Sequence, residues 1–295
     1  MEQHPLVTVG MPTYNRPASL QRALDSIRSQ TYRHLEIVVS DNASPDPEVG
    51  RLIANVSHAD PRIRHYVQQA NVGPSENFAF VLRQARGAFF MWAADDDEWH
   101  PAFIEKLLRP LITNPKSGLS FCDFDVRYPD GSLCKDYGSF YDAYREFLHD
   151  DGASRVTHYA LQAPERGKAN LIYGLFRREA LIDASVTRFF NSAAWGADML
   201  FVCDVLSRWS FNLAEERLYN VGIPFPASET AVQGCASEPQ REKHHRWRLM
   251  ASHLKYFFVY IRIMAITPDS NPVSFMSFLF RLLPLVIRRM KLDLA

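Results

Sequence analysis

The sequence predicts an α/β protein with a mostly parallel sheet flanked by helices and a helical extension at the C-terminus. From residue 6 to about residue 126, short apolar runs alternate with helical patterns, which is typical of βαβ units. One of these runs, residues 88–93, is apolar throughout, as expected for a strand that is covered on both faces. The end of the chain carries two further helical patterns, at residues 244–266 and 272–291.

In the first half, strands and helices are predicted in strict alternation. Residues 6–11 predict a buried strand, and residues 16–30 predict a helix with apolar residues at helical spacing. The pattern continues with a strand at 36–40, a helix at 48–56, a strand at 63–67, a helix near 75–85, the strand at 88–93 and a helix at 101–114. Residues 119–126 predict a strand that leads into a hairpin turn at 129–131, where the parallel rhythm ends.

The second half is less regular. Residues 135–168 are polar and aromatic with weak periodicity, so we expect a long excursion with room for a binding loop. Further along, the patterns predict a strand at 171–176, a helix at 195–208, a closing strand pair at 211–221 and a polar loop at 228–242 before the C-terminal helices.

Composition argues against several classes of protein. Lys and Arg number 33 and Asp and Glu number 33, so the chain has no basic excess for nucleic acid. Four scattered cysteines form no CxxC, which argues against a disulfide framework and a structural zinc site and favours a reducing compartment. The N-terminus has no signal-peptide pattern, which predicts a cytoplasmic protein. No GxGxxG or GxxxxGK[ST] motif is present, which weighs against a Rossmann dehydrogenase and a P-loop NTPase.

Polar residues follow three of the predicted strands, at the sheet edge where α/β proteins bind ligands. They are Pro12-Thr13-Tyr14-Asn15, Asp41-Asn42 and Asp95-Asp96-Asp97. Asn15 or Asn42 alone is better explained as a turn or cap residue. Three consecutive carboxylates repel one another, and a hard cation such as Mg²⁺ or Mn²⁺ would stabilise them; a solvated acidic turn is the alternative. A cation there could bridge a diphosphate and stabilise its charge as it leaves.

Several motifs occur together in a recognisable order. They are Val9-Gly10-Met11-Pro12-Thr13-Tyr14-Asn15-Arg16, Gln30-Thr31-Tyr32, Glu36-Ile37-Val38-Val39-Ser40-Asp41-Asn42-Ala43-Ser44, Asn71-Val72-Gly73, Ala85-Arg86-Gly87 and Asp96-Asp97-Glu98-Trp99. Over residues 6–125 the chain resembles family 2 glycosyltransferases of the GT-A fold, whose mostly parallel sheet is Rossmann-like. The resemblance implies inverting transfer of a sugar from a nucleoside diphosphate sugar to an acceptor hydroxyl, with a divalent cation.

The resemblance also implies roles for individual residues. Pro12, Thr13, Tyr14 and Asp41 would bind the nucleoside, with Asn71 and Asn77 near it, and the acidic run would hold ribose and metal. When the chain is aligned with the family's DxD motif, Ala94 stands at the position of the first aspartate. Asp95 stands at the middle position and Asp96 at the position of the metal-binding aspartate. We therefore expect Asp96 and Asp97 to bind Mn²⁺ or Mg²⁺ and Asp95 to contact the ribose. A literal DxD also exists as Asp95 and Asp97.

Transfer to a hydroxyl needs a general base, and Asp198 is the candidate. Asp198 resembles the aspartate of the family's Glu-Asp element, with Ala197 in place of the glutamate. The alternative is a structural Asp in the first turn of a helix, where it favours the macrodipole. His244 and His245 could complete a metal shell as in some GT-A enzymes, but a solvated helix start is favoured. The aromatic residues Tyr137, Tyr141, Tyr144 and Trp195 could stack on sugars, but packing is the more common role.

On this basis the chain divides into a nucleotide-sugar-binding half at 1–126, an acceptor-binding half of the same domain at 127–230 and a helical extension at 231–295. Two alternatives remain open: a sugar-nucleotide-binding protein without transfer activity, and a nucleotidyltransferase. The acceptor would be either a glycan or a lipid-linked molecule. Residues 272–291 are unusually apolar, and their basic residues lie on one side of the predicted helix. This pattern predicts either peripheral contact with the inner face of the cell membrane or packing as an ordinary helix, on the domain or at a dimer contact.

Overall fold

The computed structural model describes residues 4–128, 130–134, 138–145, 148, 151–163, 167–183, 196–223 and 239–294. Within the last two helices, side chains are described for residue 251 and residues 253–291. Tyr137 and Trp195 lie outside the described residues, as do the side chains of His244 and His245 and most of the segment predicted as a polar loop.

A mixed sheet forms the centre of the molecule, as predicted. Its described strands are β1 Val7–Thr13, β2 Leu35–Asp41, β3 Ile63–Val67, β4 Phe89–Trp92, β5 Glu98–Trp99, β6 Ser117–Arg127, β7 Leu175–Arg177 and β8 Ser210–Gly222. They lie in the order β3-β2-β1-β4-β7-β6-β8-β5. The first four strands pair in parallel, whereas β7 is antiparallel to both β4 and β6. The parallel strand ends of the first half therefore share one edge of the sheet.

Helices connect the strands and follow them at the C-terminus. The described α-helices are α1 Pro17–Arg28, α2 Pro47–Ala59, α3 Pro74–Arg83, α4 Phe103–Thr113, α5 Phe140–Tyr144, α6 Gly152–Leu161, α7 Arg178–Asp183, α8 Ala197–Arg208, α9 Pro239–Ile266 and α10 Pro272–Leu294. Proline occupies a first-turn position in α1, α2 and α3, where its missing N–H leaves no intrahelical bond unmade. All predicted helices of the first half are confirmed.

Strand β1 is longer than predicted and continues through Pro12 and Thr13, which the sequence places in a turn. These residues pair with Ser40 and Asp41 of β2. On the other side, β4 pairs with β1 only as far as Gly10. Because no strand lies beside Pro12 on that side, its lack of an N–H costs no ladder hydrogen bond.

Three predictions for the second half are wrong in detail. A 3-10 helix at Lys168–Tyr173 precedes the short strand β7, where one strand at 171–176 was predicted; a short apolar run does not distinguish the two by periodicity. The predicted strand pair at 211–221 is the single strand β8, because its pairing with β6 continues across register shifts. Helix α9 begins at Pro239, inside the predicted polar loop. The excursion at 135–168 also contains α5 and α6.

The described parts share one hydrophobic core. It contains strand residues such as Val9 and Phe121 together with Phe278, Leu282 and Val286 of α10. Tyr144 is also buried there, stacked on Phe140, so packing rather than sugar contact is confirmed for this aromatic residue. Among the helices that the structure describes, none has the length and apolarity needed to cross a membrane. The proposed boundaries at residues 126 and 230 stay a prediction.

Candidate active site

The ends of β1, β2 and β4 meet at one point, as the sequence predicts. The hydroxyl of Thr13 donates a 2.7 Å hydrogen bond to Oδ2 of Asp95, and the backbone N–H of Tyr14 donates to the same oxygen at 3.3 Å. The backbone N–H of Asn42 donates to the carbonyl of Thr13 at 3.0 Å. Asp95 therefore ties the chain that follows β4 to the end of β1.

Arg16 carries the positive charge at this junction. Its Nη1 atom donates to Oδ1 of Asp95 at 3.1 Å and to Oδ2 of Asp96 at 2.6 Å. Burial raises the pKa of Asp96, Arg16 opposes this rise, and Asp95 adds to it. Burial lowers the pKa of Arg16, but Asp95 and Asp96 together raise it by more than burial lowers it. The net shift of this pKa is therefore upward. The two oxygens converge on a single cationic nitrogen.

Asp97 points into a different environment. Its Oδ2 atom accepts a hydrogen bond from the hydroxyl of Tyr219, and its Oδ1 atom accepts one from the backbone N–H of Gly222 at 2.8 Å. Burial raises the pKa of Asp97 to about 7, although both hydrogen bonds oppose the rise. A Cβ atom at Gly222 would lie 2.1 Å from the carbonyl oxygen of Asp96, so only glycine allows this approach. The geometry gives Asp97 an anchoring role, and metal binding by Asp97 stays a prediction.

The predicted nucleoside residues form a polar network along β2. The Oδ1 atom of Asp41 accepts hydrogen bonds from the backbone N–H and the hydroxyl of Ser44, at 2.9 and 2.5 Å. Asn71 accepts from the side chain of Asn42 at 3.0 Å. Asn77 is buried and exchanges hydrogen bonds with the hydroxyl and carbonyl of Ser40. Asn77 therefore holds the end of β2 in place, and contact with a nucleoside stays a prediction for all three residues.

A cavity of about 680 Å³ opens beside the acidic run. The described residues that line it include Arg16, Arg22, Asp96, Glu98, Arg127 and Asn220. The ends of β6 and β8 form one wall and the start of α1 forms another. Asp96 and Arg16 thus face a space large enough for a small-molecule ligand.

Asp198 lies in the first turn of α8, after Gly196 in a left-handed conformation with φ of +70°. Burial raises the pKa of Asp198, and the buried ammonium of Lys168 counteracts part of that rise. Burial also raises the pKa of Tyr173, with further contributions from Asp97, Asp96, Asp198 and Asp95. The negative charges of all four carboxylates raise the pKa of the same phenol, that of Tyr173. Asp198 and the acidic run therefore belong to the same part of the molecule.

Four residues at this site were not predicted from the sequence. Arg16 stands in one of the motifs but has no predicted role, and the sequence predicts no role at the site for Lys168, Tyr173 or Tyr219. Arg16 could have been found because it follows β1 directly, at the ligand-binding edge. Tyr219 carries no such signal, because its contact with Asp97 joins residues far apart in the sequence.

Comparison with known proteins defines the class. The profile described as glycosyl transferase family 2 matches residues 8–155, half of the chain. A GalNAc(5)-diNAcBac-PP-undecaprenol beta-1,3-glucosyltransferase of Campylobacter jejuni is 38% identical over 208 residues, covering 60% of this chain and 67% of the relative. Another similar protein, an uncharacterized protein of Sinorhizobium fredii, is 31% identical; the match covers 45% of this chain and 15% of that protein.

Solved structures share the architecture. S. aureus TarS 1–349 in complex with UDP aligns with a TM-score of 0.60 at 16% identity, covering 94% of this chain and 70% of that one. The mannosyltransferase PcManGT from Pyrobaculum calidifontis, in complex with GDP-Man and Mn²⁺, aligns with a TM-score of 0.57 at 17% identity, covering 95% and 69%. These similarities define a protein with the GT-A fold. By its profile and its C. jejuni relative, the chain belongs to glycosyl transferase family 2.

Proposed function

We propose that the protein transfers a sugar from a nucleoside diphosphate sugar to the hydroxyl of a glycan or lipid-linked acceptor, with inversion at the anomeric carbon and with Mn²⁺ or Mg²⁺. The observation that carries the proposal is the convergence of Asp95 and Asp96 on one cationic nitrogen at the edge of the cavity. Structures with the same fold contain UDP in one case and GDP-Man with Mn²⁺ in another, which supports a nucleotide donor.

The residues present fit a divalent cation. Asp96 supplies the hard oxygen ligand predicted from the sequence. Both oxygens of Asp97, the other predicted ligand, accept hydrogen bonds from Tyr219 and Gly222, so in this proposal Asp95, predicted as a ribose contact, takes its place as the second ligand. Arg16 already places a positive charge between Asp95 and Asp96. Among the described residues no group of three or more His, Cys, Asp or Glu side chains gathers for metal binding. Mg²⁺ commonly uses one or two carboxylates and takes its other ligands from phosphates and water, so the pair is sufficient. When bound, the cation would stabilise negative charge on the departing diphosphate.

In this proposal Asp198 removes the proton from the acceptor hydroxyl as the oxygen attacks the anomeric carbon. A base works best when its pKa is raised toward the working pH, which is the direction that burial gives Asp198. Thr13, Tyr14 and Asp41 would bind the nucleoside at the ends of β1 and β2. Asp97 would hold the acidic run against β8 so that Asp96 faces the cavity.

A donor panel tests this function. UDP-, GDP-, dTDP- and CDP-sugars are incubated with and without Mn²⁺, and nucleotide release and product anomer are measured. We expect one donor class to release nucleoside diphosphate in a cation-dependent reaction that yields the inverted anomer. Pyrophosphate release would indicate a nucleotidyltransferase instead. Binding of a donor without turnover for any acceptor would indicate a binding protein.

We also propose that α10 contacts the inner face of the cell membrane. Five exposed apolar side chains form a stripe within an arc of roughly 80° on the helix. This apolar stripe consists of Val273, Met276, Phe280, Leu283 and Ile287. The packed face of the same helix carries Phe278, Leu282 and Val286. The helix is therefore apolar on two faces, and only one of them is covered by the described protein.

Charge favours an anionic membrane as the occupant of the stripe. Residues 272–291 contain four basic residues and no acidic one. Arg281, Arg288 and Lys291 are exposed beside the apolar stripe, as expected for a helix that lies among anionic headgroups. The C. jejuni relative is named for a PP-undecaprenol glycan, which agrees with a lipid-linked acceptor.

Vesicle flotation tests the membrane proposal on the full chain. The protein should float with phosphatidylglycerol vesicles at low salt, and Phe280→Glu should remain at the bottom. Ile182→Glu is the matched control, because Ile182 is also a highly exposed apolar residue but belongs to α7. If the unaltered protein does not float and instead forms dimers through α10 in light scattering, the stripe is a contact between copies and the membrane proposal is wrong.

A further inference from the structure

One nitrogen of Arg16 occupies the position between the two carboxylates where the proposed cation would bind. Nη1 lies 3.1 Å from Oδ1 of Asp95 and 2.6 Å from Oδ2 of Asp96. A guanidinium and a divalent cation repel each other, so both cannot remain on the same two oxygens. Binding of the cation therefore requires that Arg16 moves away.

The surroundings of Arg16 allow this movement. Its side chain is 55% exposed and lines the cavity, so no core packing is lost when it turns. Asp95 keeps two other donors, the hydroxyl of Thr13 and the backbone N–H of Tyr14, and stays in place without Arg16. Asp95 is thus held mainly by the end of β1, whereas Arg16 supplies positive charge to both Asp95 and Asp96.

We propose that Arg16 is a resident counter-ion that competes with the divalent cation for Asp95 and Asp96 and that pairs with the donor diphosphate once it is displaced. The proposal rests on the cation dependence of the proposed function. A guanidinium forms strong paired hydrogen bonds with phosphate oxygens, so the diphosphate offers Arg16 a new partner in the same cavity. The cation and the nucleotide would then each favour binding of the other, because each of them favours the conformation in which Arg16 has left Asp95 and Asp96.

The first test measures Mn²⁺ affinity without nucleotide, by electron paramagnetic resonance titration of the full chain. Arg16→Met should bind Mn²⁺ about tenfold more tightly than the unaltered protein, within the usual range of coupling between two sites. Arg22→Met is the matched control: Arg22 lines the same cavity, is similarly exposed and pairs with Glu98 at 3.2 Å. The control removes the same charge but should change Mn²⁺ affinity less than about twofold.

The second test repeats the titration with saturating UDP. UDP should strongly increase the Mn²⁺ affinity of the unaltered protein. The factor of this increase should be at least about fivefold smaller in Arg16→Met, because that variant has no guanidinium to release. Arg16→Lys keeps a positive charge and should resemble the unaltered protein without nucleotide. Thermal unfolding of each variant checks that the fold is retained.

Several outcomes overturn the inference. Unchanged or weaker Mn²⁺ binding in Arg16→Met would show that Arg16 does not compete. An equal gain in Arg22→Met would show a general effect of charge in the cavity. If sugar transfer occurs and the Arg16→Met affinity is unchanged, the inference alone fails. If neither the unaltered protein nor any variant binds Mn²⁺, the cation dependence fails and the inference fails with it, while metal-free turnover would keep sugar transfer intact.

Discussion

Two regions of the molecule depart from the usual distribution of side chains, in which polar groups are exposed and apolar groups are buried. The strand ends of the first half bury charged groups, whereas the last helix, α10, exposes apolar ones. At the strand ends Asp41, Asp95 and Asp97 are buried, and each is held by hydrogen bonds. Along α10 apolar side chains are exposed, Val273 to 78% and Phe280 to 74%. A buried carboxylate is costly without partners, and an exposed apolar stripe indicates a contact surface. One region is suited to a charged ligand and the other to an apolar one.

The largest expected effect tests whether the polar region binds through Asp96. Asp96→Ala should lower transfer by about a thousandfold or more, because a cation contributes several kcal/mol to the transition state. The Mn²⁺ dependence of donor binding should also disappear. Glu105→Ala removes an exposed carboxylate that does not line the cavity and should have little effect. Unchanged Mn²⁺ affinity in Asp96→Ala would move the metal site to Asp95 and Asp97.

Asp198→Asn asks whether the polar region extends to α8. Turnover should fall by about a hundredfold, the lower range for loss of a general base, while donor binding stays nearly intact. In the unaltered protein burial raises the pKa of Asp198, so turnover should fall as the pH drops through this raised value. The pH profile of turnover measures this acidic limb, which should vanish in the variant. If only acceptor affinity changes, Asp198 orients the acceptor and is not the base.

Acid should also act on another buried carboxylate, Asp60, which follows α2. Hydrogen bonds from Arg62, opposed by burial and aided by Arg28, lower the pKa of Asp60 to about 2. Because this pKa lies below the unfolded value, the stabilisation is present above about pH 4 and is lost as the pH falls toward 2. Asp60→Asn should lower the free energy of unfolding at pH 7 by about 2 kcal/mol.

Chemical denaturation at pH 7 and pH 3 measures this effect. Glu48→Gln is the control, because Glu48 pairs with Arg51 at an exposed position, where an ion pair contributes less than about 1 kcal/mol. Equal losses in the two variants would contradict a special role for the buried carboxylate. Membrane binding by α10 should not depend on either substitution.

The smallest expected effect concerns the nucleoside. Asp41→Ala should weaken binding of the free nucleotide by about tenfold, equivalent to about 1.4 kcal/mol, and slow the chemical step much less. A nucleoside contact is made equally in the ground state and the transition state, so its loss should appear mainly in affinity. Calorimetry with nucleoside diphosphates and turnover at saturating donor separate the two. A large loss of turnover with unchanged affinity would contradict this role.

Sequence alone is enough to predict the α/β class, the order of strands and helices in the first half, the family and the meeting of Thr13, Asp41 and Asp95. Local patterns suffice there, because apolar runs and turn residues lie close together along the chain and parallel strands bring their ends to one edge. The two C-terminal helices were also predictable, since their periodicity is local.

The surroundings of each site residue depend on contacts between distant parts of the chain. Arg16 meets Asp95 and Asp96 across about 80 positions of sequence, and Tyr219 meets Asp97 across 122. The same limit explains why the sequence predicts two strands where the structure has the single strand β8, since the pairing of β8 with β6 depends on distant residues. Likewise, the helical wheel of α10 showed an amphipathic face, but only packing against the core decided which apolar residues remain exposed. Contacts between distant segments depend on how the whole chain packs, and no local pattern encodes them.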